Sequence, residues 1–310
     1  MRVAIIDMGT NTFNLLVAET NGDNKYQTIH NSKCFVKLGE GGIEKKRIAP
    51  EAWERGLKAI ESHMSTISTL SVDKVFAFAT SATRDAENGA GFVEEIFRRH
   101  QLKVDVIEGN EEAKMIYQGV KQAVDLGAET NLILDIGGGS NELILCNANQ
   151  ALWMHSFNLG VQRLLDQFKP SDPITSDEVN RVEQFFDIEL RSLIEASISN
   201  PPLRLIGSSG SFDTFRSLLA NSGAIPFTNA CFAEIPLDGY LNLHQILLKS
   251  NRDERIAMKG MEFIRVDFIV LASIFTKFII DRLGIKTIYQ SNYALKEGAL
   301  WEILNNVNHS

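Results

Sequence analysis

Two apolar runs in this sequence end in an acid followed by a polar turn that carries glycine: AIIDMGTNT, with Asp7, and LILDIGGGS, with Asp135. A carboxylate at the end of a buried strand is costly unless it is paired or hydrogen-bonded, so these positions ask for a chemical reason. Glu142 stands seven residues after Asp135, across the turn, where the two acids can face one cleft. Asp7, Asp135 and Glu142 are hard oxygen donors. A divalent cation such as Mg²⁺ (or Mn²⁺) keeps most of its waters and needs only one or two carboxylates plus substrate phosphate. Four turns rich in glycine or hydroxyl groups accompany the acids: Gly9-Thr10-Asn11-Thr12, Thr80-Ser81-Ala82-Thr83-Arg84, Gly137-Gly138-Gly139-Ser140 and Gly207-Ser208-Ser209-Gly210-Ser211. Such turns let successive backbone N–H groups converge on phosphate oxygens, and the fourth is expected to run into a helix whose N-terminus adds free donors.

Other charged residues are ambiguous by pattern. Glu111 and Glu112 open an expected helix, where acids complement the helix dipole; one of them can equally aim a carboxylate into the cleft as a general base. Arg84 has the fork that suits phosphate oxygens, yet it reads equally as a surface charge. Arg265 and Asp267 fit an ordinary ion pair. His63, His100, His155 and His244 show no ligand spacing, and no GxSxG, HExxH or Walker A motif occurs.

The elements that must position these residues follow from a repeat. Residues 3–19, VAIIDMGTNTFNLLVAE, echo residues 131–147, NLILDIGGGSNELILCN, at an offset of 128 (135 − 7). Both read as a hairpin of buried strands around a polar turn, and the pair predicts a duplicated domain with a phosphate loop in each half. Between and beyond the copies, helix and strand patterns alternate. A helix opens at Pro50, a strand covers 73–80 and precedes the polar loop SATRDAENG, a strand covers 104–108, and a helix starts near Asn110. Thr175 and Glu178 form a capping box for a long amphipathic helix. A short strand spans 203–206, a helix 268–283, and the segment 292–304 has one apolar face. The fold class is α/β.

With 310 residues the chain is long enough for about two domains. Apolar residues make up 44% and charged residues 23%, which excludes disorder. A net charge of −8 argues against nucleic acid as a main partner. Cys34, Cys146 and Cys231 form no CxxC pair and are expected to be small buried hydrophobes. The start MRVAIID lacks the apolar core of a signal peptide, and the apolar stretch Phe268–Phe275 is too short to span a bilayer. The expected location is cytoplasmic, with no membrane partner.

The segments IIDMGTNTFNLLVAE, LGEGG, ATSATRDAENG, IEGNEEAKMIYQGV, LILDIGGGSNELIL, LIGSSGSF and SNYALKEGALWEIL, in that order from residue 3 to residue 304, resemble the exopolyphosphatase and guanosine pentaphosphate phosphatase family, in its short two-domain form. The resemblance implies an actin-like ATPase superfold of two ribonuclease-H-like domains around a cleft. Residues 1–122 with 292–310 would form the first, its C-terminal helix returning to it, and residues 123–291 the second. It implies Mg²⁺-dependent release of terminal orthophosphate from inorganic polyphosphate, from guanosine pentaphosphate, or from both. It further implies that Glu112 is the catalytic base and that Asp135 and Glu142 help hold the metal and order the water. Asn11 and Thr12, Ser81 with Arg84, Gly137, Gly138, Gly139 and Ser140, and Ser208, Ser209, Gly210 and Ser211 match phosphate-contacting loops. Two departures stand out. Lys37 occupies a place where the family often has arginine, which exchanges a bidentate fork for a point charge, and Ser140-Asn141-Glu142 stands for Ser-Thr-Glu. A homodimer is expected by analogy alone. A kinase of the same superfold would need an adenosine pocket and an acceptor. A non-catalytic sensor would bind the phosphorylated ligand without turnover.

Overall fold

A computed structural model describes residues 1–20 and 25–307; residues 308–310, the tail of the range expected to return to the first domain, lie outside the described residues. Strands β1 (Arg2–Met8), β2 (Thr12–Thr20), β3 (Tyr26–Phe35), β4 (Lys74–Ala79) and β5 (Val104–Val106) form one sheet in the order β3-β2-β1-β4-β5. Strands β6 (Asn131–Ile136), β7 (Asn141–Cys146), β8 (Ala151–Phe157), β9 (Arg204–Ser208), β10 (Phe232–Ile235) and β11 (Thr287–Ser291) form the other, read as β8-β7-β6-β9-β11-β10. Apart from the added edge strand β10, the two orders are the same. Each sheet begins as an antiparallel meander, and each continues into strands parallel to its first. The echo at an offset of 128 is therefore a repeat of topology: β1–β2 and β6–β7 are the two hairpins. This is the expected α/β architecture of two ribonuclease-H-like units in an actin-like arrangement.

The helices are α1 (Pro50–Thr69), α2 (Ser81–Arg84), α3 (Gly89–His100), α4 (Gly109–Ala123), α5 (Val161–Phe168), α6 (Ser176–Glu189), α7 (Arg191–Ser199), α8 (Ser209–Asn221), α9 (Leu237–Lys249), α10 (Arg252–Ala257), α11 (Ile269–Leu283) and α12 (Leu295–Val307). Proline starts α1, where its missing N–H costs nothing. The Thr175–Glu178 capping box is present at α6, but the long helix expected after it divides. At Leu190 (φ −93°, ψ 14°) the chain turns, which keeps both Leu190 and Leu193 in the core. The expected polar loop after β4 also contains a helical turn, α2, and β5 stops at Val106 rather than residue 108.

Three apolar clusters hold the molecule together. One packs β1, β2 and β4 on α1 and α3, and one packs the second sheet on α5, α6, α8, α9 and α11. The third lies between the sheets. Val3, Ile5 and Leu16 of the first sheet and Ile133, Ile144 and Ile206 of the second close on Ile116 and Val120 of α4 and Leu300 and Leu304 of α12. α4 rests on β7 and β8, α12 rests on β1 and β2, and the two helices pack on each other. Of the three thiols, Cys146 is buried, Cys34 is partly buried and Cys231 is exposed. The expectation of a buried thiol fails at Cys231, which immediately precedes the edge strand β10.

Candidate active site

The two repeated turns face each other. In the first, the Gly9 N–H donates to the Thr12 carbonyl (3.0 Å), and in the second the Gly137 N–H donates to the Ser140 carbonyl (3.1 Å). They approach so closely that a Cβ on Gly138 would lie 2.7 Å from Asn11 Nδ2, and one on Gly139 would lie 2.6 Å from Thr10 Oγ1. Glycine is required there by the approach of the opposite turn. Both polar atoms of the Asn11 side chain, and Thr12 Oγ1, are buried without a hydrogen-bond partner. Leaving such groups unpaired costs about 1–3 kcal/mol each, and both residues line a single cavity together with Gly137, Gly138, Gly139 and Ser140. The Gly207–Ser211 turn reaches the same cavity through Ser209 and Gly210, and the Thr80–Arg84 turn through Thr80. Ser209 has φ +67°, a left-handed conformation that a non-glycine residue keeps only where its surroundings enforce it. Ser81, Arg84, Ser208 and Ser211 do not line the cavity. Ser81 sits behind Gly139, Ser208 is consumed by Asp135, and Ser211 is buried.

The carboxylates converge from strand ends. Asp135 and Glu142 are direct cross-strand partners, so their side chains share one face. Asp135 accepts from Ser208 Oγ (2.7 Å) and Ser209 Oγ (2.6 Å), and Glu142 accepts from Ser156 Oγ (2.7 Å). Asp7 accepts from Asn14 Nδ2 (2.9 Å). All three line the cavity, as does Glu112. Burial pushes Glu142 up to about 7, with the Asp135 charge adding to it, and pushes Asp7 up to about 6. Burial also raises Asp135, against the hydroxyls that bond it. Four acids gathered in one cavity, each with its proton affinity raised chiefly by burial, describe a place that attracts a cation. Among the described residues no three His, Cys, Asp or Glu side chains form a closed metal cage. Asp135 and Glu142, two hard oxygen donors on one face, fit a divalent ion that takes its remaining ligands from water and phosphate oxygens.

Sequence pattern left the adjacent glutamates open, and the helix separates them. Glu111 is exposed, whereas Glu112 is buried on the inner face of α4. Arg84 Nη1 donates to Glu112 Oε2 (3.3 Å) and to the Ile107 carbonyl (2.9 Å), so Arg84 is a partner of the glutamate rather than a surface charge. Burial raises Glu112 well above its ordinary range, and the Glu142 charge adds to this while Arg84 opposes it. The expected Arg265–Asp267 pair does not form. Asp267 pairs with Arg252 (2.8 Å), and Arg265 turns into the cavity with Glu262 3.7 Å away.

Three cations were missed. Arg163 of α5 donates from Nε to the Gly139 carbonyl (2.8 Å) and from Nη2 to Asp85, tying the second turn to the segment after α2. Lys33 reaches across to Glu262. Lys296, in the first turn of α12, lines the cavity beside Asp7 and Asp135. Lys296 lies in one of the segments that carried the family resemblance, and that was the available signal; nothing in the pattern marks Arg163 or Lys33.

Comparison with known proteins adds a lineage to this geometry. A family model described as the Ppx/GppA phosphatase family matches residues 16–307. The chain is 31% identical over 98% of its length to the bifunctional 3-dehydroquinate synthase/phosphatase of Fusobacterium nucleatum, of whose length it spans only 46%. It is 26% identical to exopolyphosphatase 2 of Mycobacterium tuberculosis, with 96% of this chain and 97% of that one covered. The crystal structure of an exopolyphosphatase from Cytophaga hutchinsonii superposes with a TM-score of 0.96 at 35% identity, covering 99% of this chain and 98% of that one. The Aquifex aeolicus PPX-GPPA enzyme, at 24% identity and a TM-score of 0.80 over 97% of this chain and 99% of its own, shares the fold.

Proposed function

From the premise that this chain belongs to the Ppx/GppA phosphatase family and is a phosphoanhydride hydrolase, we propose that it releases terminal orthophosphate from inorganic polyphosphate by direct attack of water. The observation that carries this reading is the convergence of Glu112 and residues of all four phosphate-type turns on one cavity. Glu112 takes a proton from a water aligned with the terminal phosphorus. The water oxygen bonds to phosphorus as the bridging P–O bond breaks, and the electron pair of that bond leaves on the shortened chain. Backbone N–H groups of the turns and the free amide of Asn11 hold the phosphoryl oxygens, so the reaction is governed by positioning and electrostatics. A Mg²⁺ ion at Asp135 and Glu142, when bound, would supply positive charge to the phosphoryl oxygens. Burial suits Glu112 to the role, because a base with raised proton affinity works close to neutral pH.

Glu112→Gln is expected to lose at least about 100-fold in turnover while still binding substrate and remaining folded. Turnover near that of the unaltered protein would remove Glu112 from the mechanism. Phosphate release with Mg²⁺ from short polyphosphate, long polyphosphate, guanosine pentaphosphate and ATP tests the substrate. Faster release from guanosine pentaphosphate than from either polyphosphate would overturn the assignment.

A further inference from the structure

The two hairpins share a backbone and differ in charge. In the second, Asp135 faces Glu142; in the first, the equivalent partners are Asp7 and Asn14, an acid and an amide. A carboxylate pair can hold a divalent ion between its members, and an acid with an amide holds one far less well. The first hairpin has a cation of another origin. Lys296 is delivered by α12, which packs on β1 and β2, and it lines the cavity with Asp7. Its Nζ lies 3.0 Å from Glu297 Oε1, and Glu297 is itself fixed by accepting the Ala294 N–H (2.9 Å). The ammonium acts favourably on Asp7, Asp135 and Asp213 together.

We propose that the Lys296 ammonium serves the Asp7 hairpin as the divalent ion serves the Asp135–Glu142 hairpin, so that the protein binds a single divalent ion and Asp7 is not one of its ligands. This rests on the reading that Asp135 and Glu142 hold the metal. It narrows the expected ligand set of Asp7, Asp135 and Glu142 to the last two. A phosphoryl group between the turns then meets the ion on one side and, on the other, the ammonium N–H donors that Glu297 leaves free. Lys296 contacts substrate in this arrangement, and a second ion beside it is repelled because both charges lie in a poorly solvated cavity.

The experiment is Mn²⁺ binding, followed by the electron paramagnetic resonance signal of the free ion at about pH 8, with thermal melting to check that each variant folds. The unaltered protein is expected to bind one ion, Asp135→Asn to lose at least about 10-fold in affinity, and Asp7→Asn to bind as the unaltered protein does. Lys296→Gln is expected to gain a second ion or bind Mn²⁺ at least about 10-fold more tightly, and Asp7→Asn placed in that background to abolish the gain. A loss in Asp7→Asn comparable with that in Asp135→Asn, or a Lys296→Gln isotherm that superimposes on the original, overturns the inference alone. Unchanged binding in Asp135→Asn sinks the metal reading beneath it as well. Asp7→Asn exchanges an acid for its isostere, so it decides the matter even where Lys296→Gln does not fold.

Discussion

Each acid in the cavity holds its proton more firmly in the folded protein than in the open chain, and this has a consequence for stability. Because the native pKa values of Asp7 and Glu142 are raised, to about 6 and about 7, the native state binds more protons than the unfolded state between roughly pH 4 and 7. The stabilising contribution is complete below the unfolded pKa values and is lost as pH rises through the folded ones. In buffer free of divalent cations, the melting temperature should fall from about pH 5 to about pH 8, and Mg²⁺ should restore it at the higher pH much more than at the lower. A melting temperature that rises over that interval would show the acids to be well paired in the native state. Asp7 and Asp135 were legible in the sequence because an acid near the end of an apolar strand is conspicuous, and Glu142, near the start of β7, only because the repeat placed it across the turn from Asp135. Choosing between Glu111 and Glu112 required knowing which side of α4 turns inward. Glu112 shares its face with Ile116 and Gly119 (i, i+4, i+7), the side that packs into the molecule.

The elements that position the site meet at a crossing of two glycines. A Cβ on Gly119 of α4 would collide with the Ala294 carbonyl, and one on Gly298 of α12 would collide with the Met115 carbonyl. The helices touch backbone to backbone, and between them they carry Glu112 and Lys296. Gly298→Ala should therefore destabilise by at least about 1–3 kcal/mol, the usual range for forced overpacking, because a helix has to move rather than a side chain. It should also lower turnover beyond the loss of folded protein, which denaturant melts and phosphate release measured on the same sample will separate. The helices themselves could be read from periodicity and proline. Their mutual contact could not, since glycine within a helix reads only as a weak position until its neighbour is known.

At the level of the whole molecule, the halves are joined by charge across the cleft as well as by the shared middle layer. Arg163 reaches from α5 to Asp85 and Ser81, and Lys33 reaches from β3 to Glu262. Truncating one partner of a partly buried pair leaves the other unpaired, so Arg163→Gln should reduce kcat/KM on polyphosphate by at least about 10-fold while the far-ultraviolet circular dichroism is kept. An unchanged kcat/KM would mean the bridge plays no part in closing the site. The duplication was visible as an echo of seventeen residues because buried strands and tight turns tolerate few residue types. The bridges were not, because each pairs ordinary surface-type residues far apart in the sequence. The placement of α12 has one more outcome. Lys296 follows every other cavity-lining residue in the chain, so on the ribosome its ammonium joins the cavity after the acids, Lys33 and Arg265 have emerged. Until α12 is made, Asp7 lacks the Lys296 charge that acts on it and the cavity lacks one of its walls.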